Sequence, residues 1–240
     1  MWNEIKKYVL ISFFYDTIKM VIIMSKGRII VIEGACDGIG KSTQYNLLKY
    51  KLGENVITHH FPTYGSYQGK GVEEYLKGGY GDIESLSPYF VNNLYAYDRG
   101  VVWQTLLKEK YEKGYTILLD RYTTSSIIYQ SCLIEDEEKR KEFIDYVIDY
   151  EYNKLGIGTP DKVIFLTAPF NLVTSLRNAR KDNDGVVNDI HERDLDFMKK
   201  VYDNAVFVAN YLGWEIIECT NGNKFKTINE IHEEILKSIK

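Results

Sequence analysis

The sequence predicts an α/β fold built on a parallel sheet. Two observations carry that prediction. Five short runs rich in β-branched residues alternate along the chain with segments of helical period. The first run ends in a glycine-rich turn that opens directly into a helix, "IEGACDGIGKST" at 32–43.

The elements follow in order. "GRIIVIEG" (27–34) is an apolar, β-branched run closed by glycine, the pattern of a buried strand. After the turn, "KSTQYNLLKYKL" carries apolar residues at helical spacing. "ENVITHHF" (54–61) is a second strand stopped by Pro62, which cannot donate to a ladder. Residues 63–82 are rich in glycine and tyrosine, with one helical piece around "GVEEYLK". From Pro88 to Lys113 the period is helical, and "GYTILLD" (114–120) is a third strand. A charged amphipathic helix is expected over 135–155. Strands at 161–167 and 214–219 then bracket further helical segments, and "TINEIHEEILKSIK" closes the chain. Such alternation buries a parallel sheet between helices, and ligands bind beyond the carboxyl ends of its strands.

Bulk properties narrow the function. The 240 residues are 45% hydrophobic and 27% charged, enough for an ordinary core. A net charge of −4 argues against a nucleic-acid polymer as partner. Any anionic ligand must meet locally gathered positive charge. Cys36, Cys132 and Cys219 are sparse and lack metal spacing, so they are expected as free thiols in a reducing compartment. Within residues 1–25, Asp16 and Lys19 divide the apolar runs, which are too short to span a bilayer. The segment is expected to be an N-terminal extension, with the core chain starting at Met24 or Met20. Residues 26–240 are then expected to form one domain.

The turn departs from the usual phosphate-binding pattern, since five residues rather than four separate Gly34 from Gly40-Lys41. Counted back from Lys41, however, Gly38, Ile39, Gly40, Lys41, Ser42 and Thr43 keep their order. The extra residue lies upstream, between Gly34 and Asp37. The run of main-chain N–H groups that wraps phosphate is therefore retained. Lys41 is expected to reach the β- and γ-phosphates and the Ser42 hydroxyl to hold magnesium. Asp120 ends an apolar strand with Arg121 beside it. That pair suits a magnesium–phosphate cluster and equally a plain ion pair.

Three further stretches, "DRYTTSSIIYQ" (120–130), "NNLYAYDRG" (92–100) and "HFPTY" (60–64), resemble the thymidylate kinase family. The resemblance runs from about Gly27 to the C-terminus. It implies a P-loop kinase fold with a five-stranded parallel sheet, ATP with Mg2+, and transfer of a phosphoryl group from ATP to dTMP. It also implies a homodimer, and the sparse thiols lead to the expectation of a cytoplasmic protein.

Residue by residue, the resemblance makes Tyr95 a stacking face for the pyrimidine and Arg99 the donor to the base O4. Ser126 and Gln130 match positions at the base edge, Tyr129 one against the sugar, and Phe61 one in the substrate pocket. Arg121 matches the arginine that grips the monophosphate, and its fork of donors suits a phosphate dianion. Asp37 matches the loop carboxylate facing the sugar 3′-hydroxyl and the metal's water shell, and Asp120 the carboxylate near the metal.

Two departures stand out. No arginine follows Phe61-Pro62, where Thr63 and Tyr64 stand instead, and the loop starts one residue longer; Gly38, moreover, occupies a loop position that carries an arginine in some members of the family. A catalytic cation is then expected from a lid at about 177–194. Arg180 is the preferred catalytic residue there and Arg177 an ATP contact. His59, His60, His191 and His232 lack ligand spacing and are expected to be structural or exposed. Two rival functions fit less of the sequence. One is a kinase for a deoxynucleoside or another nucleoside monophosphate. The other is a non-catalytic nucleotide-binding protein.

Overall fold

A computed structural model describes residues 26–35, 38–175 and 195–240. The expected N-terminal extension, Cys36, Asp37 and the expected lid with Arg177, Arg180 and His191 lie outside the described residues.

Strands β1 (Ile29–Gly34), β2 (Val56–His60), β3 (Thr116–Asp120), β4 (Lys162–Thr167) and β5 (Glu215–Glu218) form one sheet in the order β2-β3-β1-β4-β5. All four pairings are parallel, as expected. The first strand lies at the centre, so the chain winds outward in both directions from β1. Every residue of β1 is buried. Alternation along it divides the core. Ile30 and Ile32 join Leu48, Leu118, Ile164 and Ile235 on one face of the sheet. Ile29 and Val31 join Trp103, Leu107, Ile117 and Leu119 on the other. This is the period of two that a strand imposes, realised on both faces because helices cover both.

The helices are α1 (Lys41–Leu52), α2 (Lys70–Lys77), α3 (Pro88–Val102), α4 (Lys108–Glu112), α5 (Thr123–Ser131), α6 (Glu137–Ile148), α7 (Leu195–Tyr211) and α8 (Ile228–Ser238). Residues 170–175 are also helical. Local chemistry sets several starts. Pro88 opens α3 at a position that needs no N–H. The Asp136 side chain caps α6 by accepting from the Lys139 N–H. Thr227 and Glu230 cap each other reciprocally at the start of α8.

Two expected helices turn out to be compound. The run 88–113 is α3, a π-helical turn at Trp103–Leu107, and α4. The run 135–155 is α6 followed by a π-helical turn at Asp149–Lys154. A π turn is a single-turn distortion inside a longer helix, and the apolar spacings counted over a whole run do not separate it from an α-helix. A short hairpin, β6 (Thr220–Asn221) and β7 (Lys224–Phe225), precedes α8 and was not expected.

Candidate active site

Parallel register brings three strand ends together. Ile32 of β1 and His60 of β2 both pair with Asp120 of β3. The loop that follows β1 therefore opens beside the residues that follow β2 and β3.

In that loop Gly38 and Gly40 have φ of 96° and 97°, left-handed values that glycine adopts without steric cost. Alternating handedness turns successive N–H groups toward one side, the arrangement of an anion nest. Gly40 then caps α1 with no side-chain hydrogen bond to the helix start. The first N–H groups of α1 thus have no side-chain cap, which suits an incoming phosphate. Ile39 is buried and anchors the loop to the core. Ser42 and Thr43 are exposed on the first turn.

Lys41 turns its ammonium onto the Asp120 carboxylate, and the two side chains form a buried ion pair. The other Asp120 oxygen lies 3.0 Å from His60 Nδ1. Burial alone would raise the Asp120 pKa. The hydrogen bond from His60 and the charge of Lys41 outweigh it and bring the group down to about 2. His60, exposed as expected, thus faces Asp120 from the end of β2. The strand register that places it there is invisible to spacing rules.

Arg121 follows Asp120 with φ of 64°, and it is the one non-glycine residue with positive φ among the described residues. Such backbone is costly for a residue with a Cβ and concentrates at functional turns. Its N–H is 3.5 Å from the Ile32 carbonyl, and its guanidinium lies 5.5 Å from the centre of the Tyr129 ring. Arg121 and Tyr129, expected at the phosphate and the sugar, are therefore neighbours.

The expected base site is assembled from α3 and α5. Arg99 is 1% exposed, and its guanidinium lies 6.0 Å from the Tyr95 ring, one turn back. Its Nη2 donates to Ser126 Oγ at 2.8 Å. Gln130 is buried one turn further along α5, and its Oε1 has no hydrogen-bond partner among the described residues. Phe61 is packed into the core against Tyr122, ring centres 5.8 Å apart, rather than standing on a pocket wall. It can serve a base only as floor. Thr63 donates its N–H to Asp98 Oδ2 at 2.7 Å. Its hydroxyl meets His59 Nε2 at 3.0 Å.

Two buried carboxylates escaped the sequence reading. Glu33, 0% exposed, is the penultimate residue of β1 and accepts from the hydroxyls of Thr124 and Ser125. Glu151, also 0% exposed, lies in the second π turn and binds Arg99 and Thr123. The run Thr123-Thr124-Ser125-Ser126 is thus claimed hydroxyl by hydroxyl by charged residues from three distant parts of the chain. A glutamate inside "IIVIEG" was a signal for the first. "DYEYNKL" gave none for the second.

The donors suit magnesium in kind. A hydroxyl and a carboxylate are the hard oxygens that this ion takes, alongside water and phosphate oxygens. No cluster of three or more His, Cys, Asp or Glu side chains able to hold a metal occurs among the described residues. No helix among the described residues is long and apolar enough to cross a membrane.

The family described as thymidylate kinase matches residues 32–235. Among solved structures, a thymidylate kinase from Candida albicans is similar with a TM-score of 0.67 and 24% identity, covering 89% of this chain and 91% of that one. One from Ehrlichia chaffeensis is similar with a TM-score of 0.59 and 20% identity, covering 90% and 100%. At such identities the two structures support the fold, and the family match supports the activity.

Proposed function

This chain belongs to the thymidylate kinase family, and from that premise we propose how its own residues carry out the reaction. The reaction is ATP-dependent phosphorylation of dTMP to dTDP. The N–H groups of Gly38, Ile39 and Gly40, with those opening α1 through Thr43, cradle the ATP polyphosphate. Lys41 leaves Asp120 for the β- and γ-phosphates as ATP enters. Arg121 grips the dTMP monophosphate. An oxygen of that monophosphate attacks the γ-phosphorus, the bond from phosphorus to the bridging oxygen breaks, and ADP leaves. The acceptor is already an anion, so no general base is required. Ser42 and Asp120 would hold Mg2+, which when bound neutralises charge on the phosphates.

The pyrimidine stacks on Tyr95 over the Phe61 floor, with Arg99, Ser126 and Gln130 at its edge and Tyr129 against the sugar. Asp37 faces the 3′-hydroxyl. Arg180 supplies the catalytic cation from the lid expected at about 177–194, with Arg177 on ATP. Residues 26–240 form one kinase domain behind an extension at 1–25. The observation that supports this reading best is the Lys41–Asp120 pair at the mouth of the loop, with Arg121 strained beside it.

We further propose a homodimer, since α3 carries exposed Phe90 and Tyr97 in line with half-buried Leu94 and Val101. We propose a cytoplasmic enzyme, consistent with the free thiols Cys132 and Cys219. The deciding experiment follows ADP release with Mg–ATP against dTMP, dUMP, dCMP, thymidine and AMP. Preference for dTMP supports the reading. Preference for thymidine or AMP, or no turnover at all, overturns it.

A further inference from the structure

Arg99 has five N–H donors in a rigid fork. Its Nε donates to Glu151 Oε2 at 2.6 Å and its Nη2 to Glu151 Oε1 at 2.7 Å, a bidentate pair. The second N–H of Nη2 goes to Ser126 Oγ. One N–H of Nη1 points to the Tyr122 carbonyl at 3.4 Å. The last N–H of Nη1 has no acceptor among the described residues.

We propose that Glu151 is a positioning residue that sets base selectivity: it orients the Arg99 fork so that a single N–H remains for the bound nucleobase. One fixed donor accepts a pyrimidine with a carbonyl oxygen at position 4 and rejects one with an amino group there, which is itself a donor. The inference rests on the pyrimidine pocket described under the proposed function.

Three features support it. Glu151 sits in a π-helical turn, a distortion that recurs at functional positions. Its Oε2 also accepts from Thr123 Oγ1 at 2.9 Å, and the Ile157 N–H donates to its main-chain carbonyl at 3.1 Å. The carboxylate is thereby held by one hydroxyl, and the main chain that carries it by one further hydrogen bond, before it holds Arg99. A buried ion pair adds little stability over apolar residues of the same volume. What this one adds is a fixed orientation for the guanidinium. Burial disfavours the charged guanidinium, but the Glu151 carboxylate more than offsets this and keeps the arginine charged.

The test uses the full-length enzyme with saturating Mg–ATP and steady-state kinetics on dTMP, dUMP and dCMP. Glu151→Gln keeps the shape and removes the charge. It is expected to raise the KM for dTMP about tenfold and to lower the dTMP-to-dCMP ratio of kcat/KM by a similar factor. The kcat and the KM for ATP should move far less. That variant leaves a buried cation unpaired and can fail to fold. Thr123→Val keeps the ion pair and removes one donor to the carboxylate. The expected change is in the same direction, about threefold. A folded Glu151→Gln with the wild-type KM and ratio overturns the proposal, as does an unaltered Thr123→Val where Glu151→Gln does not fold. If the wild-type enzyme itself fails to favour dTMP, the pocket reading fails instead.

Discussion

The Lys41 ammonium and the Asp120 carboxylate face each other across the phosphate loop as an ion pair, each side chain 10% exposed. They sit 79 residues apart in sequence, and the pairing of β1 with β3 makes them neighbours. In the proposed mechanism Lys41 exchanges this partner for the polyphosphate as ATP enters.

Replacing that lysine tests the cradle directly. Lys41→Met is expected to lower kcat by a hundredfold or more, because the charge that develops on the transferred phosphoryl group loses its partner (on the order of 3 kcal/mol). The variant should still melt cooperatively. A kcat within a few-fold of wild type would remove Lys41 from the mechanism.

Acid should weaken the fold through Asp120. Its pKa falls from 3.8 in the ordinary state to about 2 in the folded chain. The folded state therefore holds its proton less well than the unfolded state. The resulting stability is complete above about pH 5 and is lost as the pH falls through 4 toward 2. The difference in Tm between wild type and Asp120→Asn should shrink over that window. A difference that stays constant from pH 6 to 2.5 contradicts the assignment.

Arg121 sets stability against binding. At φ of 64°, glycine is easier to accommodate than alanine, by about 1 kcal/mol. Arg121→Gly should therefore melt above Arg121→Ala. Both should raise the KM for dTMP by about a hundredfold, since a phosphate dianion loses its forked donor. Equal melting temperatures would argue against backbone strain. An unchanged KM would argue against the phosphate grip.

Gly27 marks a close approach that no turn requires. A Cβ there would lie 2.0 Å from the Tyr115 carbonyl oxygen. The obstacle is main chain and cannot swing away, so Gly27→Ala is expected to cost about 2 kcal/mol by urea unfolding. A loss under 0.5 kcal/mol would mean that the β1 entry and the turn before β3 separate freely.

The two described thiols should be inert. Burial pushes Cys132 and Cys219 up to about 12, so neither forms thiolate near neutrality. Peptide mapping after iodoacetamide treatment of the folded protein at pH 8 should find both unmodified. Rapid alkylation of either would show that its surroundings open readily.

The order of the elements and the phosphate loop were legible because they are local. A β-branched run, two glycines and a helix start are contiguous, and their chemistry needs no partner from elsewhere. The same holds for α1, whose bounds match the stretch expected for it. The π turns at Trp103–Leu107 and Asp149–Lys154 are each a single turn within a longer helical run, too local for the period of the whole run to reveal.

From sequence alone came the strand–loop–helix cradle, the alternation that demands a parallel sheet, and the motif residues Lys41, Asp120, Arg121 and Arg99. Only the tertiary structure decided what those residues touch. Parallel register set His60 opposite Asp120. A π turn 52 residues along carried Glu151 to Arg99. The run 123–126 became a row of hydroxyls spoken for by buried charges. The physical reason is that periodicity encodes which face of an element is buried. The partner of a buried charge depends on strand register and helix packing, which only the assembled chain possesses.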